Sequence, residues 1–133
     1  MILDWVAIQS FVNSMENNRR RNVSMEKTIA QNGQVAYMYA LRILHGPFPE
    51  AEASIAKMPI WAVKYARFII KKRFKIAEKF ISRDPERCYE YYKHVIKKKL
   101  PSRMHEAMIL MSYEDPSNHF VNKYFKEVFE STT

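Results

Sequence analysis

The residues with the clearest potential for chemistry are three glutamates at one spacing, Glu26, Glu52 and Glu78, followed by Glu106 at a slightly longer interval. Carboxylates in pairs or clusters can act as general acids and bases or bind divalent metal ions. A catalytic group occurs once in a site, whereas a residue that recurs at a fixed interval serves a repeated structural unit. We therefore expect each glutamate to bond backbone N–H groups or a Lys or Arg of the adjoining helix, and we predict no catalytic or metal site.

The other reactive side chains form no motif that indicates catalysis. His105 is followed by Glu106, as in a zinc-protease motif, but the second histidine of that motif is missing. The chain has no glycine-rich phosphate loop, and Cys88 is its single cysteine. The sequence therefore predicts a protein without a cofactor that is not an enzyme.

Basic side chains cluster in three triplets that lie 52 and 26 residues apart. The triplets are Arg19, Arg20 and Arg21; Lys71, Lys72 and Arg73; and Lys97, Lys98 and Lys99. As a row of positive charge they would bind a polyanion, because cations that neutralise phosphates release counterions. A basic residue at the end of a helix also stabilises the helix dipole. Dipole stabilisation accounts for one cation per triplet but not for three, so both roles remain open.

The triplets belong to an internal repeat of 26 residues. Its copies span 33–58, 59–84 and 85–110, and a degenerate copy spans 7–32. Apolar and aromatic residues recur in the same columns, and the clearest column contains Tyr39, Tyr65 and Tyr91. A period of this length is typical of stacked supersecondary units. We expect the aromatic columns to form the core and not a stacking platform for bases.

Each copy has the pattern of two short helices. In the first strong copy they are separated by a breaker in which Gly46 can adopt a positive φ. Asp84-Pro85 and Asp115-Pro116 have the residue types that begin helices, whereas Met58-Pro59 lacks the capping side chain. With no strand pattern, the sequence predicts an all-α fold. We expect a short solenoid of about four imperfect helix pairs followed by a C-terminal helix at about 116–130.

Composition sets further limits. The 133 residues suit a single domain spanning 1–133, and 47% hydrophobic residues favour a folded chain over a disordered one. The single cysteine fits a reducing compartment, and Cys88 shares a column of small residues with Ser10, Ala36 and Ala62. No apolar run is long enough to cross a membrane. We expect a cytoplasmic protein that does not contact membranes, with a formal net charge of +8.

The repeat resembles one found in uncharacterised proteins of tailed bacteriophages. The matching pattern is Tyr-Ala, an Ile-Ile or Ile-Leu pair, a basic or glycine-containing turn with Phe, and then Ala-Glu-x-x-Ile. The similarity covers about residues 25–110, and the later copies depart from it by replacing glycine with lysine. The resemblance implies a helical repeat and no particular chemistry. It also implies a phage-encoded protein that acts in the host cytoplasm by binding a host macromolecule.

The first functional hypothesis is a non-enzymatic binding protein that docks on a host protein complex through the repeat surface and the basic edge. The alternative is a nucleic-acid-binding protein whose basic ladder contacts the phosphates of DNA or RNA. A hydrolase acting on nucleic acid ranks third. Docking on a protein needs an apolar anchor as well as charge. Trp5, Tyr113 and Phe129 lie outside the best repeat columns and are anchor candidates, although we expect each of them to lie in the core.

Overall fold

The computed structural model describes residues 5–18 and 20–131, and every regular element in these ranges is helical. The all-α prediction is therefore confirmed. The α-helices are α1 Trp5–Asn18, α2 Val23–Ile29, α3 Gly33–Tyr39, α4 Glu52–Ala56, α5 Pro59–Lys64, α6 Glu78–Ile81, α7 Pro85–Tyr91, α8 Ser102–Glu114 and α9 His119–Ser131. None of these helices is long and apolar enough to span a membrane.

Helices α3, α5 and α7 each continue into a π-helical segment. These segments are Ala40–Leu44, Tyr65–Ile70 and Tyr92–Ile96. A π-helix is rare, because its hydrogen bonds reach back five residues instead of four. One such bond runs from Lys97 N–H to the carbonyl oxygen of Tyr92, at 2.8 Å. Because π-helical segments recur at equivalent positions, the repeated sequence pattern specifies them.

Each π-helical segment ends at a residue in the left-handed conformation. His45, Lys71 and Lys97 have φ values of 53°, 54° and 62°. Glycine usually occupies such a position because it has no Cβ. The sequence suggested Gly46 for this role in the first copy, but no described glycine has a positive φ and His45 takes the conformation instead. The turn therefore depends on its place in the repeat and not on glycine.

In the copies 33–58 and 59–84 the second helix is shorter than its apolar pattern suggested. Two 3₁₀ turns, Pro49–Ala51 and Lys75–Ala77, lead into α4 and α6, which have five and four residues. In the last copy Pro101 directly precedes α8, which has 13 residues. Helices as short as α4 and α6 are not stable alone, so packing against neighbouring helices must stabilise them.

Two predicted helix starts are confirmed, and the structure adds a further cap. The Asp84 side chain accepts hydrogen bonds from two backbone N–H groups in the first turn of α7, at 3.1 and 3.3 Å. Pro59 begins α5 without a side-chain cap, also as the sequence indicated. Asn32, which the sequence analysis did not identify, caps α3 by accepting from Val35 N–H at 2.9 Å.

The predicted helix start at Asp115-Pro116 is wrong. Asp115 follows the last residue of α8, and its backbone N–H bonds to the carbonyl oxygen of Met111. The side chain of Asn118 accepts from two N–H groups of α9, which begins at His119. An asparagine directly before a helix is a strong cap. Asn118, and not the Asp115-Pro116 pair, therefore sets the start of α9.

Alternate helices pack against one another in chain order, with α1 against α3, α3 against α5, α5 against α7, and α7 against α9. Ala36, Ala62 and Cys88 have no exposed surface, as the column of small residues predicted, whereas the Ser10 side chain lies outside the described residues. The backbones also approach closely where α3 meets α4. A Cβ on Gly33 would lie 2.8 Å from the carbonyl oxygen of Ser54.

Candidate binding surface

The three repeated tyrosines are fully buried, and each hydroxyl makes the same two hydrogen bonds. Tyr65 donates to Oε2 of Glu52 at 2.7 Å and accepts from the backbone N–H of Phe48 at 2.9 Å. Tyr39 and Tyr91 bond equivalent groups at 2.6–3.0 Å, with Glu26 and Glu78 as their carboxylates. The tyrosine rings are thus part of the core, and each hydroxyl also hydrogen-bonds the turn and the short helix of the preceding copy.

Two of the glutamates also bind an arginine of a basic triplet. Arg21 donates two hydrogen bonds to Glu26, at 2.9 and 2.7 Å, and Arg73 does the same to Glu78, at 2.9 and 2.8 Å. The fork geometry of guanidinium suits this bidentate contact. The hydrogen bond from Arg21 is the main reason that the pKa of Glu26 is lowered. The expected arginine partner exists, but it lies in the preceding turn and not on an adjoining helix.

Glu52 and Glu106 depart from this arrangement. In the copy of Glu52 the place of the arginine is taken by Pro47, and the tyrosine hydroxyl is the hydrogen-bond partner that the structure records. Glu106 is exposed and is not part of the column. The carboxylates of the column therefore support the fold, as the recurrence of the glutamates indicated.

A fourth copy of the tyrosine contact lies at the C-terminal end, with a histidine in place of the glutamate. Tyr124 is fully buried, its hydroxyl accepts from Leu100 N–H at 3.0 Å, and Nδ1 of His105 lies 2.7 Å away. Burial, followed by the charge of Lys99, lowers the pKa of His105. The repeat pattern did not predict this contact between Tyr124 and His105, because Tyr124 follows Tyr91 by 33 residues and not by 26.

The basic triplets have different roles at their three positions. The first residue, Lys71 or Lys97, carries the left-handed turn, and the third, Arg21 or Arg73, binds a glutamate. Arg19 lies outside the described residues. In the described part of the chain, the exposed cations that make no recorded ion pair or hydrogen bond include Arg20, Lys72, Lys98 and Lys99.

Three adjoining clefts follow the turns along one edge. The first, of about 480 Å³, and the second, of about 840 Å³, share Pro47, and the second shares Lys75 and Ile76 with the third, of about 530 Å³. We call this continuous surface the turn groove. Its charged lining residues are Arg21, Glu50, Glu52, Lys72, Arg73, Lys75, Glu78, Lys79 and Arg103.

Large apolar side chains are exposed in the turn groove and on α8. Ile76 within it is 53% exposed, and Leu110 and Tyr113 on α8 are 63% and 79% exposed. The expectation that Tyr113 lies in the core is wrong, and so is the one for Phe129, which is 72% exposed. The side chain of Trp5 lies outside the described residues. The sequence pattern failed here because one side of α8 and of α9 meets solvent.

The described residues contain no group of three or more metal-ligating side chains. Comparison of the chain with protein-family models, with curated proteins and with solved structures found no match.

Proposed function

We propose that the chain is a non-enzymatic binding protein, encoded by a phage, that docks on an acidic surface of a host protein complex. The observation that carries this proposal is a groove whose charged side chains are mainly basic, together with two exposed apolar side chains, Leu110 and Tyr113, on α8, the helix that contributes Arg103 to the groove. Interface energy concentrates in a few apolar or aromatic anchors within a polar rim. The resemblance to phage repeat proteins makes a host protein the expected partner.

The geometry of α8 supports a continuous contact surface. Arg103 lines the third cleft, and Leu110 follows it after seven residues, or nearly two helical turns, so both lie on the same side of α8. Tyr113 lies about 60° further round the helix. Met108, on the other side, is buried. A partner that contacts Arg103 and extends about 10 Å along α8 would therefore also meet Leu110.

Charge supports an acidic partner. Six cations line the turn groove against three carboxylates, and the chain carries a formal net charge of +8. Complementary charge accelerates encounter and excludes basic surfaces. Arg21 and Arg73 are already paired with glutamates, so Lys72, Lys75, Lys79 and Arg103 would provide the steering.

The proposed architecture is a short solenoid of about four helix pairs, in the single domain 1–133. The packing of alternate helices in chain order, from α1 to α9, supports this architecture. The tyrosine hydroxyls that join successive copies support it as well. Such a stack presents equivalent turns along one edge. The turn groove would be that edge.

Affinity capture from host lysate tests the proposal if it includes matched variants. The anchor variant carries Leu110→Ser and Tyr113→Ser, and the control carries Val23→Ser, which replaces an apolar side chain that is 71% exposed on α2. We expect one host protein to be retained by the wild type and by the control and to be lost with the anchor variant. A specific partner that the anchor variant retains at wild-type levels would contradict the proposal.

Binding of nucleic acid is the second candidate, favoured by the exposed cations Arg20, Lys72, Lys98 and Lys99. Labelled duplex DNA and single-stranded RNA should be titrated at roughly 50 and 200 mM salt, because phosphate contacts weaken steeply with salt. Tight binding that disappears with salt and with Lys72→Glu plus Lys98→Glu would support this candidate. An absence of binding at low salt would exclude it.

A further inference from the structure

A small basic cleft lies apart from the turn groove, between the π-helical ends of two successive copies. Its volume is about 210 Å³, and its lining residues are Ala66, Arg67, Lys71, His94, Val95 and Lys97. Lys71 and Lys97 occupy equivalent places 26 residues apart, and both have the left-handed backbone conformation. The repeat thus brings two equivalent lysines and two further basic side chains to one cleft.

Among the described residues, no acidic side chain lines this cleft. Burial and the charge of Arg67 lower the pKa of His94, and together they outweigh Glu90, which raises it. Lys93 and Lys97 act in the same direction as Arg67. His94 therefore lies among cations that repel one another, and a bound anion would relieve that repulsion.

The groups around the cleft are suited to an oxyanion. Lysine ammonium and guanidinium groups both donate charge-assisted hydrogen bonds to phosphate oxygens. Clefts that hold whole drug-sized ligands occupy about 300–1,000 Å³, so this smaller cleft suits a single phosphate group better than an entire nucleotide. Lys71 and Lys97 make no recorded ion pair within the described part of the chain, which leaves their ammonium groups available.

We propose that the cleft between Arg67, Lys71, His94 and Lys97 is a binding site for a phosphate group, whether of free phosphate or of a nucleic-acid backbone. The site is separate from the apolar anchors on α8 and does not depend on the proposed docking function. Its ligand contacts come from two copies, so it exists only where neighbouring copies are stacked.

The test is an NMR titration of the full chain with inorganic phosphate near neutral pH, at constant ionic strength, following the imidazole resonances of His94. We expect saturable shifts. The site variant carries Lys71→Asn and Lys97→Asn, because asparagine tolerates the left-handed backbone. The matched control carries Lys72→Asn and Lys98→Asn, adjacent lysines that do not line the cleft. Each lysine removed from the site should weaken phosphate binding by about tenfold.

Arg67→Gln provides a second variant that leaves both left-handed turns unchanged, so a folding defect in the lysine variant would not prevent the test. Weaker phosphate binding in Arg67→Gln, with unchanged binding in the control, supports the site. Shifts of His94 that do not saturate, or that the site and control variants reduce equally, would overturn it. A competition arm with a short DNA duplex identifies the source of the phosphate. Displacement of phosphate by the duplex indicates a backbone ligand, and binding of free phosphate alone indicates the ion.

Discussion

The hydroxyl of Tyr65 donates a 2.7 Å hydrogen bond to Glu52, thirteen residues earlier, and accepts one from the backbone N–H of Phe48, seventeen residues earlier. One buried atom thus joins two copies of the repeat. It satisfies a carboxylate and an N–H group that would otherwise be costly to bury. The same spacing joins Tyr39 to Glu26 and Tyr91 to Glu78. The repeat therefore depends on polar contacts as well as on apolar packing.

Replacing Tyr65 with phenylalanine should destabilise the protein without changing its shape. The ring still packs on Phe74, 5.1 Å away between centroids, but Phe48 N–H and Glu52 lose their partner. A lost hydrogen bond to a charged group costs about 1.5–3 kcal/mol. Urea unfolding of Tyr65→Phe should show a loss of that size. Tyr113→Phe, at an exposed position, is the control, and equal stabilities of the two variants would contradict the hydrogen-bond role.

Arg73 and Lys72 should differ in their effect on stability although they are adjacent cations. Arg73 binds Glu78 with two hydrogen bonds, whereas Lys72 is exposed and has no recorded partner in the described residues. Because the Arg73 side chain is itself 45% exposed, we expect Arg73→Gln to cost only about 0.5–1 kcal/mol. Lys72→Gln should change the free energy of unfolding by less than about 0.5 kcal/mol. A larger loss in Lys72→Gln than in Arg73→Gln would reverse this assignment.

The left-handed backbone at Lys97 predicts an unusual substitution pattern. Its φ of 62° disfavours β-branched residues and suits glycine. We expect Lys97→Val to lower the free energy of unfolding by more than about 1 kcal/mol and Lys97→Gly to leave it unchanged or raise it. Lys98→Val, at the next position, should be nearly neutral. Thermal melts of the three variants provide the comparison, and equal losses in both valine variants would argue against a constraint at Lys97.

Stability should fall as the pH is lowered from about 7.5 to about 5.5, with the loss below the ordinary histidine pKa of about 6.5. Burial lowers the pKa of both His94 and His105, so the folded chain binds fewer protons than the unfolded chain at mildly acidic pH. The stabilisation that the neutral imidazoles provide is fully present above the ordinary pKa of about 6.5 and is lost as the pH falls through the folded values. Unfolding free energies measured across this range should decrease toward acid.

His105→Gln should flatten that dependence, because glutamine has no titratable group and its side-chain oxygen can accept a hydrogen bond from the Tyr124 hydroxyl. His94→Gln removes the other contribution and serves as the comparison. A pH profile that stays unchanged when both histidines are replaced would show that other groups are responsible.

Local features of the sequence predicted much of the fold. The helical class and the Asp84 cap depend on interactions within a few residues, and the structure has both, as it has the buried column of small residues. The helix start at Asp115 was mispredicted because a better cap, Asn118, lies three residues later. The solenoid, the domain limits and the function remain proposals.

The roles of the basic triplets could not be read from their spacing. The triplet pattern predicted the same role for all three cations of a triplet. In the structure Lys71 has the left-handed conformation, Lys72 is exposed and Arg73 binds Glu78. One signal was available, since Arg21 and Arg73 both lie five residues before a glutamate of the column. The fixed interval of thirteen residues from glutamate to tyrosine was another.

The sequence by itself determined the helical class, the 26-residue period and which columns are buried, because periodicity reports which side of each helix meets solvent. Only the tertiary structure decided which polar atoms meet. The Tyr65 hydroxyl reaches Glu52 and Phe48 N–H because successive copies pack closely, and a hydrogen bond requires heavy atoms within about 3 Å. The same packing brings Lys71 and Lys97 to one cleft and leaves Leu110 and Tyr113 exposed on α8.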